Sequence, residues 1–178
     1  MTSDAQTSAG RDAWFVGVDT CDIEERGEGD IRSGQRVQFS LGIRAPGGLR
    51  LVADPLHRRQ ALHAVHAAYD VAGVVTRLEG GMVIDFGVEA VVVHDHEMRF
   101  RVGQGVEGRV ALGLHVSDGD AIRIPNRVPS QPYHWRVEQV LRCSWNAGLP
   151  PDLAPVPATT VEADAGEGYY ILRCRLEH

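Results

Sequence analysis

Histidines give the chain its clearest candidates for metal chemistry. The segment His94-Asp95-His96-Glu97 places two imidazoles two residues apart, which puts both on the same face of an extended strand. Neutral imidazole is a preferred ligand of zinc and of similar metals. His115, on the outward side of a strand predicted in the same region, would supply a third ligand. The sequence therefore allows a metal-binding enzyme or sensor that uses His94, His96 and His115.

A polar hairpin tip explains the same histidines without a metal. A zinc site needs further groups, usually carboxylates, to orient its imidazole rings. Nothing in the sequence identifies such groups, so we expect no bound metal and no cofactor. His57, His63 and His66 fall in a segment that is predicted to be helical, where they would coat its exposed side.

Two carboxylates and one glycine pattern are further candidates for catalysis or phosphate binding. Asp85 and Glu89 interrupt an apolar strand, but four residues along an unbent strand would separate them by about 13 Å. That separation is too long for a retaining glycosidase pair. Gly103-x-Gly105-x-x-Gly108 lies between two predicted strands instead of opening a helix, so it lacks the helix N-terminus that binds phosphate.

Composition and charge limit the function classes. Acidic residues outnumber basic ones by 24 to 18, giving a formal net charge of −6, which disfavours sequence-independent binding to nucleic acid. No apolar run approaches the roughly 20 residues of a membrane-spanning helix, and residues 1–11 lack the features of a signal peptide. Cys21, Cys143 and Cys174 are too few and too scattered for a disulfide framework and are expected to be free thiols. These features are typical of a bacterial cytoplasmic protein that does not bind membranes.

A repeated pattern predicts the fold class. Ile31-Arg32-Ser33-Gly34-Gln35-Arg36-Val37, followed by Leu41-Gly42-Ile43, recurs as Phe100-Arg101-Val102-Gly103-Gln104-Gly105-Val106, followed by Leu112-Gly113-Leu114. This glycine turn leading into a curved strand resembles small β-barrels of the OB or SH3-like kind, over residues 31–51 and 74–124. The resemblance implies a mainly β fold with two tandem, related, small-barrel-like units.

Hydrophobic periodicity supports that interpretation. Apolar side chains alternate along both copies, so Phe39 and Leu41 are expected in the core at positions equivalent to Val110 and Leu112. Between the copies, Asp54 and Pro55 are typical of a helix start, and Leu62, Val65 and Tyr69 follow at helical spacing. One helix is therefore predicted to connect the two units.

The predicted organisation has six parts. They are a disordered N-terminus (1–12), a first β unit (13–54), the connecting helix (55–70), a second β unit (71–128), C-terminal strands with a proline-rich loop (129–175), and a remnant of a histidine tag (176–178).

The leading functional hypothesis is a non-catalytic binding or protein-interaction module. Its ligand would be an unidentified protein or small molecule, and a homo-oligomer is compatible with it. The first alternative is the metal-binding enzyme or sensor. The second is binding of single-stranded nucleic acid through an OB-like face, which the acidic charge disfavours and an arginine cluster favours: Arg99, Arg101, Arg109 and Arg123.

Overall fold

The chain forms a mainly β structure with essentially no helix among the described residues. The computed structural model describes residues 13–20, 23, 30–53, 59–78, 81–93, 100–115, 132–143, 156–161 and 168–177. The strands in this part are β1 (Trp14–Asp19), β2 (Ile31–Arg32), β3 (Arg36–Arg44), β4 (Arg50–Val52), β5 (Gln60–Val65), β6 (Ala68–Arg77), β7 (Val83–Asp85), β8 (Glu89–Val92), β9 (Gly105–His115), β10 (Tyr133–Cys143), β11 (Val156–Ala158), β12 (Thr160–Val161) and β13 (Tyr169–Glu177). None of the described residues belongs to a helix with the length and hydropathy needed to cross a membrane.

Eight strands close into a barrel. In the order β10, β13, β1, β9, β6, β7, β8, β3, each strand pairs with the next, and β3 pairs with β10 to complete the ring. Most of these pairs are antiparallel, while β1–β9 and β3–β8 are parallel. Strands β4, β5 and β11 each pair with one barrel strand within the described residues, and β2 pairs with β12 in a separate small sheet.

The long strands β3 and β9 also pair with each other, at a row of small residues. Gly42 of β3 lies opposite Gly113 of β9. On the far side of each strand, Gly113 pairs with Gly17 of β1, and Gly42 pairs with Val91 of β8. Three glycines therefore lie side by side on three neighbouring strands. A Cβ added to Gly17 would lie 3.2 Å from the Leu112 carbonyl oxygen, and one added to Gly42 would lie 3.1 Å from a Val93 methyl.

Both copies of the repeated pattern form the same turn. Gly34 has φ of 84°, a left-handed conformation that favours glycine. The Gln35 side chain accepts a hydrogen bond from the Arg32 N–H at 2.9 Å and closes the turn. The same turn recurs in the second copy. Gly103 has φ of 86°, and the Gln104 side chain accepts a hydrogen bond from the Arg101 N–H at 2.7 Å. The repeated Arg-x-Gly-Gln letters thus encode one local structure twice.

Two tyrosines make matching contacts across the barrel. The Tyr69 hydroxyl on β6 accepts a hydrogen bond from the Phe15 N–H of β1 at 2.7 Å. The Tyr133 hydroxyl on β10 accepts one from the Glu89 N–H of β8 at 2.8 Å. Burial is the main cause that raises the pKa of both phenols, to about 12 for Tyr69. Each tyrosine therefore ties neighbouring parts of the barrel together while staying protonated.

Aromatic and aliphatic side chains fill the barrel. Trp135 is fully buried, stacks on Phe39 with ring centroids 5.2 Å apart, and donates its indole N–H to the Phe39 carbonyl at 3.1 Å. Trp14 packs against Trp135 at 6.5 Å and against Tyr69 at 5.7 Å. As the alternation predicts, four side chains of the two copies are buried: Phe39, Leu41, Val110 and Leu112.

The predicted helix at 55–70 is wrong. Residues 60–65 and 68–77 form the antiparallel hairpin of β5 and β6. A bulge between His63 and Val65 shifts the alternation, so Leu62 and Val65, three residues apart, lie on the same face of the strand. That bulge reproduces the three-residue spacing of a helix face within a strand.

The structure does not divide into two small-barrel-like units. Strands from the predicted first unit, second unit and C-terminal region all belong to one barrel and share one core, and the two first-unit strands, β1 and β3, are not neighbours in it. The close β3–β9 pairing joins the two repeated segments directly. The repeated pattern is therefore part of a single closed barrel.

The remaining predicted segments lie partly outside the described residues. Residues 1–12, predicted to be disordered, lie outside the described residues, as does His178. Leu176 and Glu177, predicted as part of a tag remnant, continue β13 and pair with Trp135 and His134. Part of the predicted proline-rich loop is extended, as β11 and the start of β12.

Gly73→Ala should destabilise the barrel, because an added Cβ would lie 2.6 Å from the Asp85 carbonyl oxygen and 2.8 Å from an Ile84 methyl. We expect a loss of about 1–3 kcal/mol in the free energy of unfolding, measured by denaturant titration. Gly47→Ala is the control, since its added Cβ would have no heavy atom within 4 Å. Equal stability of the two variants would contradict the β6–β7 packing.

Tyr69→Phe should cost about 1–3 kcal/mol at neutral pH, because the Phe15 N–H loses its acceptor. The pKa of Tyr69 is raised in the folded state, from 10.0 to about 12. Its stabilising effect is therefore complete below pH 10 and lost as the pH rises to 12. The difference between wild type and variant should shrink over that range, and a constant difference would contradict the burial of this hydroxyl.

Candidate functional site

The proposed histidine trio is only partly placed. His94 and His96 lie outside the described residues. His115 ends β9, is half-buried and lies opposite Ser40 of β3. In the described part of the chain, no group of three or more His, Cys, Asp and Glu side chains is arranged to hold a metal ion. The metal site at these three residues stays a prediction.

The other described histidines of the predicted helix lie in the β5–β6 hairpin. The His63 ring stacks on Phe15 with centroids 4.4 Å apart and contacts Tyr69 at 5.2 Å. Its Nε2 lies 2.8 Å from the carbonyl of His66, whose φ of 53° turns the hairpin. His63 therefore packs over the side of the barrel and fixes the hairpin, rather than coating a helix as predicted.

Asp85 and Glu89 lie opposite each other, contrary to the separation predicted for an unbent strand. Gly87, with φ of 112°, turns the chain between β7 and β8 and makes the two carboxylates a cross-strand pair. Asp85 accepts the Gly87 N–H at 2.9 Å and contacts Arg59 at 3.1 Å. Glu89 contacts the side chains of Thr76 at 3.3 Å and Arg77 at 3.9 Å. Both carboxylates therefore have partners within the protein.

The two described cysteines are buried free thiols, as predicted. Cys174 pairs with Val137 and Cys143 with Tyr169, at opposite parts of the β10–β13 ladder, so they cannot form a disulfide with each other. Burial raises the pKa of Cys143, and it raises the pKa of Cys174 to about 12. A thiol with so high a pKa is a poor nucleophile at neutral pH.

An open groove of about 510 Å³ lies on the outer side of the barrel, beneath the turn at Gly47 and Gly48. Arg109 holds Asp70 in a two-point ion pair at 2.9 and 2.8 Å, and this hydrogen bonding lowers the pKa of Asp70. Arg50 pairs with Glu107 at 2.7 Å. The charges that line the groove are therefore balanced.

Strand β5 forms one end of the large sheet and pairs with β6 alone among the described strands. Its residues, Gln60-Ala61-Leu62-His63-Ala64-Val65, include no lysine, arginine, acid or proline. Leu62 is 55% exposed and Val65 is 53% exposed, both on the outer face. Natural edge strands usually carry charges, prolines or bulges that prevent pairing with another chain. Strand β5 has one of these protections, the bulge between His63 and Val65, but it carries no charged residue.

The sequence does not reveal this edge, because the spacing of Leu62 and Val65 predicts the buried stripe of a helix. Their exposure could not be read from spacing alone, although the β-branched and aromatic residues of 65–77 are a signal for strand.

Arg99 and Arg123, two of the four arginines predicted to form one cluster, lie outside the described residues.

Comparisons of the chain with protein-family models, with curated proteins and with solved structures gave no match. Its function is therefore inferred from the geometry of its own residues.

Cys174 should resist modification in the folded protein. In a variant with Cys21→Ser and Cys143→Ser, its thiolate fraction at pH 8 should be about a thousandfold below that of an ordinary thiol, because its pKa is about 12 instead of 9.0. Reaction with Ellman's reagent, followed by absorbance, should be negligible until guanidinium unfolds the chain. Rapid reaction under native conditions would show that Cys174 is accessible.

Proposed function

We propose that the chain is a non-catalytic protein-interaction module that binds an extended segment of its partner along β5. The edge of this strand, which pairs with no second strand among the described residues, carries the proposal together with the exposed side chains of Leu62 and Val65. A strand added to a sheet edge gains main-chain hydrogen bonds, and neighbouring side chains give it specificity. A second copy of the chain is one partner that could bind in this way.

The chemistry of the described residues supports binding over catalysis. Asp85 and Glu89 each contact an arginine and a second group within the protein, so neither carboxylate is held apart for proton transfer. The Cys174 thiol is buried and protonated at neutral pH. The interior of the barrel is filled by side chains such as Trp135, which leaves recognition to the outer surface.

We also propose that the barrel arose by duplication of a four-strand segment. Strands β1, β3, β6 and β7 correspond in order and pairing to β8, β9, β10 and β13. The matching turns at Gly34 and Gly103 support this, as do the matching contacts of Tyr69 and Tyr133. Within the described residues, β5 has no counterpart in the second half.

The test is a selection of binding peptides from a random library displayed on phage. Selected peptides should alternate apolar residues and protect the amides of β5 from hydrogen exchange. Leu62→Lys should weaken their binding by about tenfold or more, because it places a charge beside the apolar contacts. Sedimentation of the chain alone tests a second copy as the partner. Dimers of the wild type that are absent in Leu62→Lys would identify that partner.

Val102→Lys is the matched control. Val102 is 60% exposed and Leu62 is 55% exposed. Val102 lies in a turn that is hydrogen-bonded to Val75 of β6, five residues along that strand from Asp70, the residue opposite Leu62. Both variants should keep the wild-type melting temperature, since exposed substitutions change stability little. Peptides that protect other strands, or that bind the Leu62→Lys variant as tightly as the wild type, would contradict the proposal.

A further inference from the structure

Three arginines stand side by side across neighbouring strands on a different part of the barrel surface. Arg136 of β10 is directly opposite Arg36 of β3 on one side and Arg175 of β13 on the other. We call these three residues the arginine row. Their side chains are 72% exposed for Arg36, 45% for Arg136 and 58% for Arg175. Since adjacent strands lie about 4.8 Å apart, the row spans about 10 Å.

Like charges directly opposite each other destabilise a sheet. Two glutamates reduce that cost. Glu177 contacts the Nε atoms of Arg36 and Arg136, both at 2.9 Å, and these contacts lower its pKa. Glu138 contacts Arg175 at 2.8 Å and the adjacent Arg173 at 3.3 Å. Four guanidinium groups thus share two carboxylates, which leaves this face with a net charge of about +2 on a chain whose net charge is −6.

The arginines retain donors for a ligand. A guanidinium carries five N–H donors in a planar fork that matches a carboxylate. Within the described part of the chain, each arginine of the row contacts a single carboxylate. The glutamates hold the guanidinium groups at fixed positions on rigid strands, which reduces the entropy lost on binding.

We propose that the arginine row binds an acidic, extended segment of a partner protein. On one side of an extended peptide, side chains recur every two residues, about 6.7 Å apart. Two carboxylates separated by one residue therefore fit within the 10 Å row. This surface lies on β3, β10 and β13 rather than on β5, so it can be tested independently of strand addition.

A short acidic peptide suits this face better than a nucleic acid. Affinity for nucleic acid grows with the number of phosphates neutralised, and a face of net charge about +2 neutralises few. Charges more than a Debye length of about 8–10 Å away are largely screened, so a peptide of a few residues bound at the row is little affected by the negative charge elsewhere on the chain, whereas a long polyanion would extend over that charge and be repelled.

The experiment measures fluorescence anisotropy of a labelled peptide that alternates glutamate and threonine. The same peptide with glutamine in place of glutamate is the ligand control. We expect binding of the glutamate peptide alone, weakening as salt rises, and a loss of affinity of about tenfold or more in Arg136→Gln. Arg109→Gln is the matched protein control, since Arg109 is 65% exposed and ion-paired. It lies on β9 just beyond the end of the β3–β9 pairing at Arg44 and Ala111, and therefore far along β3 from Arg36. The Arg109→Gln variant should bind like the wild type.

Melting temperatures separate binding from a structural role. Arg136→Gln relieves the repulsion between arginines within the row, while Glu177 keeps its ion pair with Arg36. The variant should therefore melt at the wild-type temperature or above it. A lower melting temperature, with no peptide binding by the wild type, would assign the row to stability and overturn the proposal. Equal loss of affinity in Arg109→Gln would overturn it as well. So would tighter binding of a single-stranded thymidine oligonucleotide than of the glutamate peptide.

Discussion

The barrel depends on the close approach of four strands at Gly17, Gly113, Gly42 and Val91. At this point β3 and β9 each have neighbours on both sides, and a Cβ on Gly42 would lie 3.1 Å from a methyl of Val93. Farther along, β3 pairs with β10, and β9 pairs with β6. Each long strand thus pairs with different neighbours along its length, which lets one sheet close into a ring. The glycine row allows the two long strands to approach each other where these pairings meet.

The surroundings of this row are built from a few contacts used in both halves of the barrel. Gln35 and Gln104 close equivalent turns with their side chains. Tyr69 and Tyr133 each accept a main-chain N–H from a strand across the barrel. The glutamine contacts close exposed turns. The tyrosine contacts satisfy part-buried main-chain N–H groups and join strands that are not paired with each other.

A filled interior places recognition on the outer surface, where two different features stand out. One is the uncharged edge of β5, which offers main-chain groups and two apolar side chains. The other is the arginine row, where like charges lie closer than stability alone favours. Departures from the rules that stabilise a fold concentrate at functional sites. The two proposed sites would require partners of different chemistry, and they lie on different strands.

The sequence by itself determined the mainly β class, the inward side chains of β3 and β9, the glycine turns and the buried thiols. Each of these follows from local alternation or from a residue type with one strong conformational preference. Tertiary structure decided the rest, because register and strand order depend on contacts between distant segments. The bulge after His63 gave strand residues a helical spacing, and the turn at Gly87 brought Asp85 opposite Glu89. The arginine row joins residues 36, 136 and 175 through pairing alone, which no spacing along the chain reveals.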